Sequence, residues 1–481
     1  MFWTILRLLW WISMLDSVST TVIVGYGLLI LFVGAAAFHR QDHQRAFFLG
    51  EQSLGVLRFL GTTFPTFFGT GLVFTLASFG YLYGIGAFLL PGAAALGFVL
   101  FAQAAPRIKR ASDREDAITL PALFDGVWSM KTRAVVALVT VSLFAGTLAA
   151  NFLVVGNLLQ SLYGIPTVMG ISGFAGIVLA YTALGGFRGV VRTDIMQTGV
   201  IGVSLVVILP AFVFLEGGAT VFGSLPSSHL DPLSLPVQIL VVYLLIGVFA
   251  YFGSQDLFQR IYAIKDEHAA RRGVLSFTVV VLLISAVTVG LGISARALFP
   301  GIRADRALVV LTSEIVPAGF SGIAVLGFLA LANAGADAKL LTITSNITED
   351  FLPHINAKFG RQVARIERLV VVGIGLIALA VAVVAPTLTA LLAGLGSWFA
   401  ILGVVVVATL YWNRMTDTAA FTGSVVGFVA PVIFITVTGD VQAATLVGLI
   451  PTVLVVVVVS LLTSSKSETD SSGGGAIKSP Q

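Results

Sequence analysis

One lysine and two helix-breaking segments stand inside otherwise apolar runs of this sequence, and its chemistry concentrates there. Lys339 lies within the run 318–346. A lysine at the centre of a membrane helix costs ~2.5–3.5 kcal/mol on insertion scales, so it needs a partner or a role. Asp194 and Asp337 are the candidate partners. Asp337 is two residues away on the same helix and points elsewhere. The run 57–80 contains Pro65, Gly69, Thr70 and Gly71, and the run 236–253 ends Tyr251-Phe252-Gly253. Unwound backbone at membrane depth is tolerated only where it lines a cavity or a site. Paired interrupted helices in corresponding halves of a chain point to a binding site, although Gly and Pro in membrane helices also serve packing alone. Thr66, Gly69 and Thr70 at the first break, and Tyr251 and Phe252 at the second, are the candidate binding residues. Asn151 in the run 134–157 and the pair Ser397-Trp398 either face the same cavity or serve as an interhelical hydrogen bond and an interfacial anchor.

Other chemistries find little support. The chain has no cysteine, which removes thiol catalysis, disulfides and Cys-ligated metals. Its five histidines, His39, His43, His229, His268 and His354, fall in loops without metal-ligand spacing. No GxxxxGK[ST] phosphate cradle is present. A membrane-embedded lipid-modifying enzyme would need acidic clusters for a metal-diphosphate. The one dense cluster, Asp113-Arg114-Glu115-Asp116, is mixed in sign and loop-like. A net charge of +4, with no basic patch interleaved with aromatics, gives no sign of nucleic-acid binding.

The elements that must position these residues are membrane helices. The chain is 57% hydrophobic and 10% charged over 481 residues, whereas soluble domains carry about 25% charge. Its apolar residues form runs of about 20, the length that crosses a ~30 Å hydrocarbon layer. In lipid the backbone must satisfy its own polar groups, so such runs are helices. Thirteen spans are expected, at 18–38, 57–80, 84–105, 134–157, 166–184, 193–216, 236–253, 274–295, 318–346, 368–385, 390–411, 418–438 and 442–462. Residues 1–17 are expected to form an interfacial segment, and 463–481 a disordered tail. With the N-terminus outside, 21 Lys and Arg fall in inside loops and four (Arg7, Arg296, Arg303, Arg306) in outside segments. The positive-inside rule favours that orientation, and an odd count puts the C-terminus in the cytoplasm.

In the loop between spans five and six runs Tyr181-Thr182-Ala183-Leu184-Gly185-Gly186-Phe187-Arg188-Gly189-Val190-Val191-Arg192-Thr193-Asp194-Ile195-Met196-Gln197. Read physically, a Gly-Gly turn joins two spans, and Thr193 or Asp194 caps the second. The string also closely resembles the signature of the sodium/solute symporter family. Phe47-Phe48-Leu49-Gly50-Glu51-Gln52-Ser53-Leu54-Gly55 resembles that family's approach to its second helix. Gly253-Ser254-Gln255-Asp256-Leu257-Phe258-Gln259-Arg260 resembles the exit of its seventh, and Ala336-Asp337 with Ser345 and Thr348-Glu349-Asp350 its ninth. The resemblance covers roughly residues 20–440. It implies an all-α polytopic fold with a leucine-transporter-type core of two inverted five-helix repeats, here 57–216 and 236–411. The span 18–38 would precede that core and 418–462 would follow it. It implies a secondary active transporter in the cell membrane that moves a small organic solute by alternating access; it does not name the solute, for which an organic acid or amino acid is the class favoured.

The same resemblance implies a sodium ion between spans two and nine, held by carbonyl oxygens near Pro65 and Phe68 and by two adjacent hydroxyl side chains. Those hydroxyl positions fall on Ala334 and Gly335, which have no side-chain oxygen, and hard cations need oxygen ligands. Leu331 to Ala336 contains no hydroxyl, and Asn333 is its sole polar side chain. Lys339 lies one turn beyond Gly335, and helical side chains lean toward the N-terminus. Its ammonium then either lies over the sodium position or snorkels to the cytoplasmic side. The first reading makes transport proton-coupled if Lys339 titrates, and uncoupled if it does not. Because the chain lacks cysteine, single Ser228→Cys and His268→Cys variants test the orientation. A membrane-impermeant maleimide applied to intact cells is expected to label the first and to leave the second unlabelled until the cells are opened.

Overall fold

A computed structural model describes residues 17–36, 44–50, 52–216, 223–351, 363–384, 388–439 and 441–470. The helices are α1 (Ser17–Ala36), α2 (Gln44–Leu49), α3 (Val56–Phe68), α4 (Thr70–Tyr83), α5 (Leu89–Glu115), α6 (Met130–Tyr163), α7 (Thr167–Ile201), α8 (Leu209–Glu216), α9 (Val237–Phe249), α10 (Gln255–Ala263), α11 (Glu267–Leu298), α12 (Ala307–Ile315), α13 (Ala318–Asn346), α14 (Val363–Val384), α15 (Leu388–Tyr411), α16 (Asp417–Thr438) and α17 (Val441–Asp470). A π-helical turn, Gly202–Ile208, joins α7 to α8, and a 3-10 turn, Ala250–Gly253, joins α9 to α10. The interfacial segment expected at the N-terminus lies outside the described residues. The expected tail is helical as far as Asp470, as α17 continues past the end of its apolar run.

Among the described residues, eight helical stretches are long and apolar enough to cross a bilayer, and the α9–α10 pair, bent by 50°, makes a ninth. The expected thirteen is therefore not established as a count. Part of the difference is continuity. Thr70–Glu115 runs 46 residues and Thr167–Glu216 runs 50. Such lengths would measure roughly 70 Å at 1.5 Å per residue, more than twice the hydrocarbon thickness. Each stretch is turned by a glycine in a conformation that side chains resist, Gly84 (φ 58°, ψ −135°) and Gly186 (φ 52°, ψ −156°). The Gly-Gly string is thus a sharp kink inside α7 rather than a capped start. Thr193 donates back to the Gly189 and Val190 carbonyls, and Asp194 sits in the helix interior.

The core lies around α13, which packs on α1, α3, α6, α7 and α14. Some 83% of its span window is buried, against 28% for α16, so α13 is central and α16 peripheral. Helices approach one another backbone to backbone at glycines, as membrane packing favours. A Cβ on Gly97 of α5 would fall 1.7 Å from the Gly247 carbonyl oxygen of α9, and one on Gly292 of α11 would fall 2.0 Å from that of Ala77 in α4. Next to the 3-10 turn, a Cβ on Gly403 of α15 would fall 1.8 Å from the Phe249 oxygen.

At the end bearing the basic loops, Leu54 pairs with Ile264 in an isolated parallel bridge. The Leu54 amide donates to the Ala263 carbonyl and the Lys265 amide to the Leu54 carbonyl, each at 3.1 Å. This bridge ties the approach to α3 to the exit of α10. Gly97→Val forces backbone apart along the α5–α9 contact, where overpacking typically costs about 1–3 kcal/mol. The expected result is a lower melting temperature and a smaller monodisperse fraction in detergent, read by fluorescence-detected size-exclusion chromatography.

Candidate functional site

Span two breaks where its sequence predicts. Pro65 has no N–H, so the Gly61 carbonyl loses its helical donor. The Thr198 hydroxyl of α7 supplies one instead, at 2.6 Å. Helix α3 ends at Phe68, Gly69 takes φ 13° and ψ 157°, and α4 starts at Thr70. The Pro65 carbonyl accepts the Gly69 amide at 3.2 Å. The Phe68 ring is fully buried and packs on Phe64 and Phe67.

Helix α13 faces this break. The Thr66 hydroxyl lies 3.5 Å from the Ala334 carbonyl oxygen, and the Thr70 hydroxyl donates to Asn151 Oδ1 of α6 at 3.0 Å. Lys339 turns back along its own helix, and its Nζ donates to the Gly335 carbonyl at 2.9 Å. A Cβ on Gly335 would sit 3.4 Å from that Nζ and 3.1 Å from Asn151 Nδ2. The ammonium therefore lies beside the Ala334-Gly335 pair. Thr66, Gly69, Thr70, Asn151, Ala334, Gly335 and Lys339 come together as one group.

The acidic residues take other partners. Asp337 accepts a hydrogen bond from the Tyr181 hydroxyl of α7. Asp194 pairs with Arg260 of α10 at 3.2 Å and accepts the Thr62 hydroxyl at 2.5 Å. Neither forms an ion pair with Lys339 within 4 Å, because each is bound to residues of another helix. Arg260 is the residue that sequence reasoning missed. It is fully buried and spreads its donors over four acceptors, the Thr62 and Asp256 carbonyls, the Thr66 hydroxyl and Asp194. The available signal was the spacing of Gln255, Asp256, Gln259 and Arg260, which gives the short α10 a polar side between Leu257, Phe258 and Ile261. Beyond Asp194 and Asp337 lie Gln197 and Asn333, buried side-chain amides close to the Tyr26 hydroxyl.

The second break presents aromatic rings. Tyr251 stacks on Phe98 of α5, with centroids 3.9 Å apart, and meets Phe67 at 5.5 Å. Phe252 packs about one turn further along the same helix, on Phe101. Trp398 packs on Phe428 of α16, away from the break, and the Ser397 side chain lies outside the described set.

Residues 47–427 match the family described as the sodium:solute symporter family. The chain belongs to this family. It is 27% identical over 463 residues to the osmoregulated proline transporter OpuE of Bacillus subtilis (strain 168), covering 89% of this chain and 90% of that protein. It is 26% identical over 345 residues to a sodium/proline symporter of Escherichia coli (strain K12), covering 66% and 68%. Among solved structures it resembles a Na+-coupled sialic acid symporter in a substrate-bound outward-open state. The TM-score is 0.81 at 16% identity, over 92% of this chain and 97% of that one. MhsT in complex with L-phenylalanine gives a TM-score of 0.56 at 14% identity, over 89% and 100%. The fold is thus the all-α, leucine-transporter-type core, and the protein is a membrane-embedded secondary active transporter of a small solute rather than an enzyme.

Removing one partner of a buried ion pair typically costs about 3–5 kcal/mol, since the other charge stays buried alone. Arg260→Met is therefore expected to lower the melting temperature more than the double variant Arg260→Met/Asp194→Asn, in a thermal melt of detergent-purified protein.

Proposed function

We propose that this transporter carries a small amino acid across the cell membrane by alternating access, and that the Lys339 ammonium stands where the family holds its sodium ion. The amino-acid reading is supported by relatives named as proline transporters. The absence of sodium rests on one observation, the bond from Lys339 Nζ to the Gly335 carbonyl at 2.9 Å. The residues at that position do not fit a sodium ion. Ala334 and Gly335 offer no side-chain oxygen, and a second cation there would face the ammonium at close range.

The proposed architecture has repeats at 57–216 and 236–411, with the N-terminus outside and the C-terminus in the cytoplasm. The two breaks lie in the first span of each repeat, as a midplane solute site requires. Lys339 would hold α13 to the broken α3–α4 pair as the sodium would, by charge directed at the carbonyls near the break. If the ammonium releases its proton once per cycle, transport is coupled to a proton gradient. If it stays charged, transport is uncoupled and follows the solute gradient.

Uptake of radiolabelled L-proline and an amino-acid panel into proteoliposomes tests this, with sodium replaced by choline and with an imposed pH gradient. Uptake is expected to be unchanged without sodium. Lys339→Met is expected to lower it by about tenfold or more, equivalent to losing ~1.4 kcal/mol or more. Strict sodium dependence of the wild-type protein would defeat the proposal. Stimulation by an inward proton gradient separates the coupled from the uncoupled form.

A further inference from the structure

We infer that Phe67 determines which solutes are accepted, by closing the space beside the span-two break to all but compact side chains. The inference rests on the amino-acid reading above. Phe67 lies in the last turn of α3, two residues before Gly69. Its neighbours Phe64 and Phe68 are buried, whereas the Phe67 ring stays partly accessible. The ring is surrounded by other rings that are themselves buried. It meets Phe98 at 4.8 Å, Tyr251 at 5.5 Å and Phe277 at 5.6 Å. These come from α5, from the 3-10 turn of the second break and from α11, so Phe67 joins the two breaks through one aromatic wall.

The open side of the wall lies at Gly69. A Cβ there would find one atom within 4 Å, the Thr66 carbonyl oxygen at 3.7 Å, which is ordinary contact. At the second break a Cβ on Gly253 would fall 2.1 Å from the Phe399 carbonyl oxygen. The room for a solute is therefore beside span two, with Phe67 at its edge. The nearby hydroxyls are engaged, Thr66 by Arg260 and Thr70 by Asn151. None of the four rings carries a charge, so the wall selects by size and shape. An apolar wall discriminates by about 10–200-fold per methylene. The solute class that fits is a zwitterion with a compact apolar side chain, and branched or aromatic side chains collide with Phe67.

The test is uptake of radiolabelled L-proline into proteoliposomes, competed by L-leucine and L-phenylalanine, for wild type, Phe67→Leu and Phe67→Ala at equal amounts of monodisperse protein. Phe67→Leu keeps an apolar side chain in place should full truncation unfold the protein. The expected result is weak competition in wild type and at least about tenfold stronger competition by the larger amino acids in the variants. Proline uptake with an unchanged order of competition in both variants overturns the role of Phe67 and leaves the amino-acid reading intact. A wild type that takes up no member of the amino-acid panel overturns that reading and this inference with it.

Discussion

The burial of Arg260 and Lys339 among membrane helices sets the main constraint on this structure. Arg260 and Lys339 both lie close to the broken α3–α4 pair, where neither water nor lipid compensates them. The protein meets the cost in two ways. Arg260 is neutralised by Asp194 and held by three further acceptors, so it works as a bracket between α3, α7 and α10. Lys339 has no carboxylate within ion-pair distance among the described residues and leans on the Gly335 carbonyl instead. In the reading proposed above, the Lys339 charge takes the place of the family's sodium ion.

The helix breaks make that arrangement possible. A continuous α3–α4 helix would satisfy its own carbonyls and offer nothing to a solute or a cation. Pro65 removes one donor, Thr198 replaces it from α7, and Gly69 turns the chain. At the second break Gly253 and Gly403 let the backbone of span seven sit directly against α15. One break is thus packed shut while the other leaves room for a Cβ, although the sequence marks both with similar residues. The aromatic contact between Phe67 and Tyr251 bridges the two.

Much of the fold was legible because membrane burial is a local property of sequence. The apolar run 318–346 coincides with α13, and the runs 390–411 and 418–438 lie within two residues of α15 and α16. The kinks were less legible. Gly84 and Gly186 each turn a helix without ending its hydrogen bonding, so boundaries read from hydropathy and from geometry differ. In the site, the break at Gly69 and the proximity of Lys339 to Gly335 followed from residue type and from the lean of helical side chains. The separate neighbours of Tyr251 and Phe252 along α5 were not legible, because adjacent residues in a 3-10 turn point in different directions and hydropathy does not record direction.

The sequence by itself determined the class of molecule, the places where helices must break, the family strings, and the lack of hydroxyls at Ala334 and Gly335. Each of these is a matter of composition or of neighbours within one or two helical turns. The tertiary structure decided the partnerships. Asp194 belongs to Arg260 and Asp337 to Tyr181. Lys339 is left to a carbonyl of its own helix. Those choices join residues 66 and 156 positions apart, and only the packing of helices around α13 brings them within hydrogen-bonding reach.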